Sequence, residues 1–291
     1  MNRKFYLIAI FSLLTLSVCA QKIKNVKGEA TYHAPENVTP EAAKRKALDM
    51  AKIQALAKEF GTIVSEESET RSKVHNGQSE SDFFSIGSSE VKGEWIETTG
   101  EPEYDIRYED GHLIVTCKVK GKAREIVSAA IDFKAKILRN GTDDKFESSI
   151  FKLRDDLYLS FQSPVNGYLA VYLEDEGNQV SCLLPYLGQK EGVYPIEANR
   201  RYVFFDTKSA PANEKAIVDE LWFDTLEKPT EYYQVYIIFS PNQFTKASDT
   251  EVKETLPRQL SREDFMKWLA KCRKYDVEMN VKKVGITVES K

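Results

Sequence analysis

Three histidines, His33, His75 and His112, are the side chains with which this chain could run acid–base chemistry near neutral pH. His33 lies ahead of a loop, His75 falls in a polar stretch and His112 begins a strand on its outward face. None neighbours a serine or cysteine in a distinctive motif, so no nucleophile–base–orienter set is written in the sequence. Paired acids could instead flank a glycosidic bond: Asp143-Asp144, Asp155-Asp156 and Glu174-Asp175-Glu176. All three sit where turns are expected, and short acidic runs are ordinary turn formers. Glu174-Asp175-Glu176-Gly177-Asn178 lacks the alternating ligand spacing and distal glutamate of a calcium loop. The expectation is no catalytic residue, no metal and no cofactor.

Cysteine and tyrosine carry what chemistry remains. Cys117 alternates with Leu113, Val115 and Val119, and Cys182 with Val180 and Leu184. Cys272 completes the stripe Phe265, Trp268, Leu269, Cys272 at helical spacing. All three point toward cores and read as inert thiols, with a Cys182–Cys272 disulfide as the alternative in an oxidising compartment. No C-x-x-C or Cys/His spacing suggests a metal. Nine tyrosines, from Tyr158 to Tyr236, crowd the second half of the chain. Exposed tyrosines stack on sugar rings or anchor protein partners. The candidate binding set is Pro185, Tyr186, Tyr194 and Pro195, where two prolines are expected to hold two tyrosines on a short constrained excursion.

The elements that would position these residues begin with a leader. Arg3 and Lys4 precede an apolar run from Phe5 to Val18 and a small-residue exit at Val18-Cys19-Ala20. That is the layout of a secretory signal peptide over 1–20, with the mature chain starting at Gln21. Leu16-Ser17-Val18-Cys19 also reads as a lipoprotein signal acylated at Cys19, although Val18 is bulky for the position before the cysteine. The expectation is an exported protein, periplasmic or associated with the outer membrane, with no membrane-spanning segment in the mature chain. The formal net charge of −4 becomes more negative once Arg3 and Lys4 leave, and the charge is spread without blocks. This excludes a basic nucleic-acid or anionic-lipid footprint.

Residues 22–130 read as an α+β module, a helix on an antiparallel sheet. A strand over Ile23 to Tyr32 precedes Thr39-Pro40, an N-cap followed by the favoured first-turn proline, and the helical pattern runs to Phe60 with Gly61 as its stop. Its apolar face is mostly alanine, so the helix should lie close to the sheet it covers. Strands are expected over Thr62 to Ser65, Val91 to Thr98, Tyr104 to Glu109 and His112 to Lys120, with Asp110-Gly111 as a hairpin turn. Glu66 to Asp82 is a polar protrusion or loop. The string Val26-Lys27-Gly28-Glu29-Ala30, the run Pro40-Glu41-Ala42-Ala43-Lys44-Arg45-Lys46-Ala47 with Ala51 and Ala55, and Cys117-Lys118-Val119-Lys120-Gly121 together resemble the envelope module of flagellar-assembly T proteins and small outer-membrane lipoproteins. The resemblance implies a structural module for envelope association with no active site.

Residues 133–291 read as an all-β, immunoglobulin-like sandwich with an appended C-terminal helix. Leu157, Leu159 and Phe161 alternate with polar neighbours, Asn166-Gly167 turns the chain into Tyr168 to Leu173, and Gly177-Asn178 turns it into Gln179 to Leu184. Tyr202 to Phe205, Ile217 to Phe223 and Tyr232 to Phe239 follow. A helix N-capped by Ser261, with Asp264 in the capping-box position, precedes a last strand over Val277 to Val288. Leu157-Tyr158-Leu159-Ser160-Phe161, Gly167-Tyr168-Leu169-Ala170-Val171-Tyr172, Gly177, Leu183-Leu184-Pro185-Tyr186 and Phe239-Ser240 resemble domain-of-unknown-function family 4384. The resemblance implies an accessory domain without an assigned reaction. Asp224-Thr225-Leu226 resembles an O-glycosylation acceptor of gut-type envelope bacteria, which would make Thr225 a surface residue.

Together these readings lead to the expectation of a non-catalytic secreted envelope protein that acts as a protein-interaction or scaffold module, its partner an envelope protein or a glycan. A glycan-binding accessory protein and a carboxylate-based glycosidase are the alternatives.

Overall fold

The computed structural model of the 291-residue chain describes residues 23–35, 38–63, 90–109, 111–126, 131–189, 192–224, 226, 228–250 and 258–290. The expected signal peptide with Cys19, the polar stretch with His75, and Thr225 lie outside the described residues.

The N-terminal half consists of β1 (Ile23–Ala34), α1 (Pro40–Phe60), the short pair β2 (Thr62–Ile63) and β3 (Glu90–Val91), β4 (Gly93–Thr98), β5 (Glu103–Glu109) and β6 (His112–Glu125). The helix begins and ends where its caps require. Thr39 accepts a hydrogen bond from the Ala42 amide through its side chain, Pro40 opens the first turn, and Gly61 stops the run at φ +83°. The main sheet is antiparallel: β6 pairs with β1 along one edge, and with β5 and then β4 along the other. Alanine at every fourth position of α1 is buried: Ala43, Ala47 and Ala51 pack with Ala30, Val115, Cys117 and Val119, and Ala55 with Val26 and Ala123. The small side chains bring the helix so near that a Cβ on Gly28 would stand 1.9 Å from the carbonyl oxygen of Ala51. Met50, Ile53, Ala57 and Phe60 of the same helix are only half-buried.

The C-terminal half contains β7 (Lys134–Arg139), β8 (Ile150–Lys152), β9 (Asp156–Gln162), β10 (Gly167–Asp175), β11 (Gln179–Leu184), β12 (Tyr194–Ile196), β13 (Tyr202–Phe204), β14 (Leu221–Trp222), β15 (Thr230–Ser240), β16 (Arg258–Ser261), α2 (Arg262–Tyr275) and β17 (Asn280–Glu289). The larger sheet runs β16-β11-β10-β15-β17-β8, with β12 also on β10; the smaller runs β13-β9-β14, with β7 also on β9. Leu159, Phe161, Leu169, Val171, Val235, Ile237 and Phe239 fill the space between the two sheets. The other face of the larger sheet is covered by α2, whose Phe265 and Leu269 pack on Tyr172, Cys182, Tyr236 and Ile238. Burial on both faces explains why β10 and the end of β15 are nearly continuous apolar runs.

Several local expectations are corrected. Asn166-Gly167 does not join a hairpin: β9 and β10 belong to opposite sheets, and the turn carries the chain across the core between them. The β10–β11 hairpin turns at Gly177-Asn178 as expected, with Asn178 left-handed at φ 65°. Of Ile217 to Phe223 only Leu221–Trp222 is strand, because Asp219 instead accepts the Leu187 amide at 2.6 Å. The last strand starts at Asn280, leaving Val277 exposed in the turn after α2. Ser261 caps α2 by accepting the Asp264 amide at 3.1 Å and donates its hydroxyl to the Asp264 carboxylate at 2.7 Å. Cys117, Cys182 and Cys272 are free thiols.

The two halves meet at α2. Arg262 bridges Asp49 of α1 at 3.3 Å and the buried Glu174 of β10 at 2.6 Å. Arg124 of β6 pairs with Glu94 and donates to the Ala270 carbonyl at 2.6 Å, with Arg273 on the far side of Glu94.

Candidate interaction surface

The tyrosine loop expected to recognise a partner is part of the core. Tyr186 is 3% exposed and Tyr194 5% exposed, and Pro185 is buried beside them; of the four, only Pro195 is at the surface. The two rings meet edge to face with centroids 6.4 Å apart. The Tyr186 hydroxyl accepts the Phe205 amide at 3.3 Å, and the Tyr194 hydroxyl donates to Glu214. Burial raises both phenols above the ordinary tyrosine range. The turn is drawn inward by Arg258, buried on β16, which donates to the carbonyls of Pro185 (2.9 Å), Tyr186 (3.3 Å) and Gln189 (3.1 Å). Its Nε lies 3.6 Å from Asp249, which Lys246 holds at 2.6 Å. A buried guanidinium with five fixed donors suits such a ring of carbonyls.

The acids expected at turns are likewise engaged in structure. Asp144 pairs with Arg201 and Lys136, and the hydrogen bond from Arg201 lowers its pKa. Asp155 accepts the Lys152 amide and the Asn140 side chain. Glu174 accepts from Tyr236 and Arg262, and Asp175 accepts the Gln179 amide. His33 and His112 are exposed, with no serine or cysteine hydroxyl or thiol hydrogen-bonded to them among the described contacts. Among the described residues no group of three or more His, Cys, Asp or Glu is arranged to hold a metal ion, and no helix is long and apolar enough to cross a membrane.

Among the described residues, β5 brings aromatic side chains to the surface together. Tyr104, Ile106 and Tyr108 follow one another on one face of the strand and are 37%, 40% and 68% exposed. Their neighbours across the ladder, Cys117, Val115 and Leu113, are buried beneath α1. The helix covers β1 and β6 and stops short of β5, so the apolar face continues past its roof. Lys44 of α1 stands 5.9 Å from the Tyr104 ring centroid at the lip. The opposite face of β5 holds Glu103, Asp105, Arg107 and Glu109, with Arg107 between Asp105 (3.3 Å) and Glu109 (3.6 Å). Nearby, a cleft of about 770 Å³ lies between Gln54 and Lys58 of α1 and the Thr99–Glu103 segment leading into β5, floored by Gly28, Ala55 and Val119.

Sequence reasoning found β5 as a strand but not as a surface, because strict alternation of Tyr and Ile with charged residues is the pattern of a half-buried strand. Compared with protein-family models, curated proteins and solved structures, the chain has no match.

Proposed function

We propose that this is a non-catalytic exported protein of the cell envelope that acts as a protein-interaction module, and that its contact surface is β5. The observation that carries the reading is the exposed Tyr104-Ile106-Tyr108 stripe on a sheet edge. Aromatic and aliphatic side chains left uncovered in a row lose favourable burial unless something docks on them. The leader of residues 1–20 supports export, and the resemblance to the flagellar-assembly T module and to domain-of-unknown-function family 4384 supports an envelope setting for the two halves. An immunoglobulin-like kinship of the C-terminal half belongs to the same proposal, supported by two sheets face to face around one core.

Glycan binding is a second reading, favoured by one observation. Tyr104 and Tyr108 stand on the same face four residues apart, about 14 Å along a strand, a spacing that would let a linear saccharide lie across both rings. Crosslinking and recovery from intact envelopes, run beside a glycan array, separates the two. A protein partner recovered with the native chain and lost from the Tyr104→Ala, Ile106→Ala, Tyr108→Ala triple variant supports the interaction reading. Undiminished recovery with that variant discards the surface, and glycan binding without a protein partner replaces the interaction reading.

A further inference from the structure

The geometry points to β5 as a strand-addition site: we infer that the partner contributes an extended segment of alternating apolar and basic residues, which pairs with the open edge and lengthens the β1-β6-β5 sheet. The inference rests on the interaction reading above and supplies the chemistry of the partner.

The backbone argument comes from the register. Glu109 faces His112 across a two-residue connection whose Gly111 has φ +84°. In such a hairpin the closing residues are a hydrogen-bonded pair, and hydrogen-bonded pairs alternate along an antiparallel ladder. Glu103, Asp105, Arg107 and Glu109 therefore turn their amides and carbonyls toward β6, while Tyr104, Ile106 and Tyr108 turn theirs to the open side. Among the described residues β5 pairs with β6 alone. The residues with exposed apolar side chains are thus the ones with outward donors and acceptors.

The edge also lacks the devices that keep other edges from pairing. β4 carries a register shift between Trp95 and Glu97, and β1 carries Lys24 and Lys27. β5 runs seven residues without bulge, proline or lysine. An open edge with one apolar face and no bulge, proline or lysine is a template for another strand.

Charge selects the occupant. Residues added opposite Tyr104, Ile106 and Tyr108 share their face and should be apolar. Those between fall beside Glu103, Asp105, Arg107 and Glu109, three carboxylates to one guanidinium, and should be mostly basic.

The test uses the full chain and a capped synthetic peptide reading lysine, valine, glutamate, valine, lysine, valine, lysine. In the antiparallel sense this sets lysines beside Glu109, Asp105 and Glu103 and glutamate beside Arg107. Binding is followed by fluorescence anisotropy and by the amide resonances of β5. The expected result is saturable binding, weakened about tenfold or more by Ile106→Pro, which removes a donor from the open side while sparing the ladder to β6. A peptide N-methylated at its valines should lose binding to the unaltered chain equally, which guards against a misfolded proline variant. Equal binding of the N-methylated peptide, or of one with lysine and glutamate exchanged, overturns strand addition. So does the absence of peptide binding alongside self-association of the chain that Ile106→Pro abolishes, which makes a second copy the occupant. If the peptide fails while the triple alanine variant still loses its envelope partner, strand addition falls and the interaction reading stands.

Discussion

Arg258 shows most clearly how one side chain decides what a stretch of sequence becomes. Pro185, Tyr186, Tyr194 and Pro195 have the composition of a surface excursion, and nothing local contradicts it. The guanidinium that gathers the turn's carbonyls lies some seventy residues downstream, so the burial of the two tyrosines could not be read from their neighbourhood. Replacing Arg258 by Met should cost about 3–5 kcal/mol, since three carbonyls and Asp249 lose a buried partner. Arg258→Lys should recover only part, because an ammonium cannot fork as a guanidinium does. Urea titration of the two variants checks this; full recovery of stability in Arg258→Lys would show that the fork is immaterial. Cys117 and Cys182 were legible from strand alternation and the half-buried Cys272 from its helical stripe, and burial pushes the Cys182 and Cys272 thiols up to about 11. Their contribution to stability is full below the ordinary thiol value of 9.0, where both states hold the proton. It is lost between pH 9 and 11, where the unfolded chain releases the proton first. The urea midpoint should therefore fall from pH 8 to pH 10.5, and fall less in a Cys182→Ala, Cys272→Ala variant. A steeper fall in that variant would contradict the sign.

Among elements, α1 was legible to the residue because its caps are local chemistry: Thr39, Pro40 and Gly61 each act on the nearest turn. The alanine face correctly implied a close approach to the sheet, and Gly28 is where that approach is tightest. Gly28→Ala should force α1 outward and destabilise by about 1–3 kcal/mol, the usual cost of overpacking, read as a lower thermal midpoint with helical signal retained below it. An unchanged midpoint would mean the helix rides higher than described. The strands were harder. Turn residues such as Asn166-Gly167 reverse the chain but carry no information on whether the flanking strands pair, and here core packing sends them to opposite sheets. For β5, alternation shows that one face is apolar. Whether that face is covered depends on where α1 ends its roof, a tertiary fact.

At the scale of the whole molecule, each half builds its own core and α2 ties them together. Composition foretold the all-β second half with its helix, whereas the salt links between halves join residues more than a hundred positions apart and leave no local trace. Arg262→Ala would strip Glu174 of its guanidinium inside the protein and free Asp49, and should cost about 3–5 kcal/mol. Arg262→Ala combined with Glu174→Gln should be milder than the single change, because no buried charge remains unpaired; additive losses in a double-mutant cycle would refute the coupling. Among the described residues β5 pairs with β6 alone, which leaves the open edge that the proposed interaction role requires. The most direct test of that role places a photo-crosslinking side chain at position 106 in the full chain, with an equivalent at exposed position 33 of β1 as control, and irradiates intact envelopes. The account predicts a discrete protein adduct from position 106 that is absent from position 33 and is competed away by the lysine–valine peptide. Adducts of equal yield from both positions, or none from position 106, would contradict it.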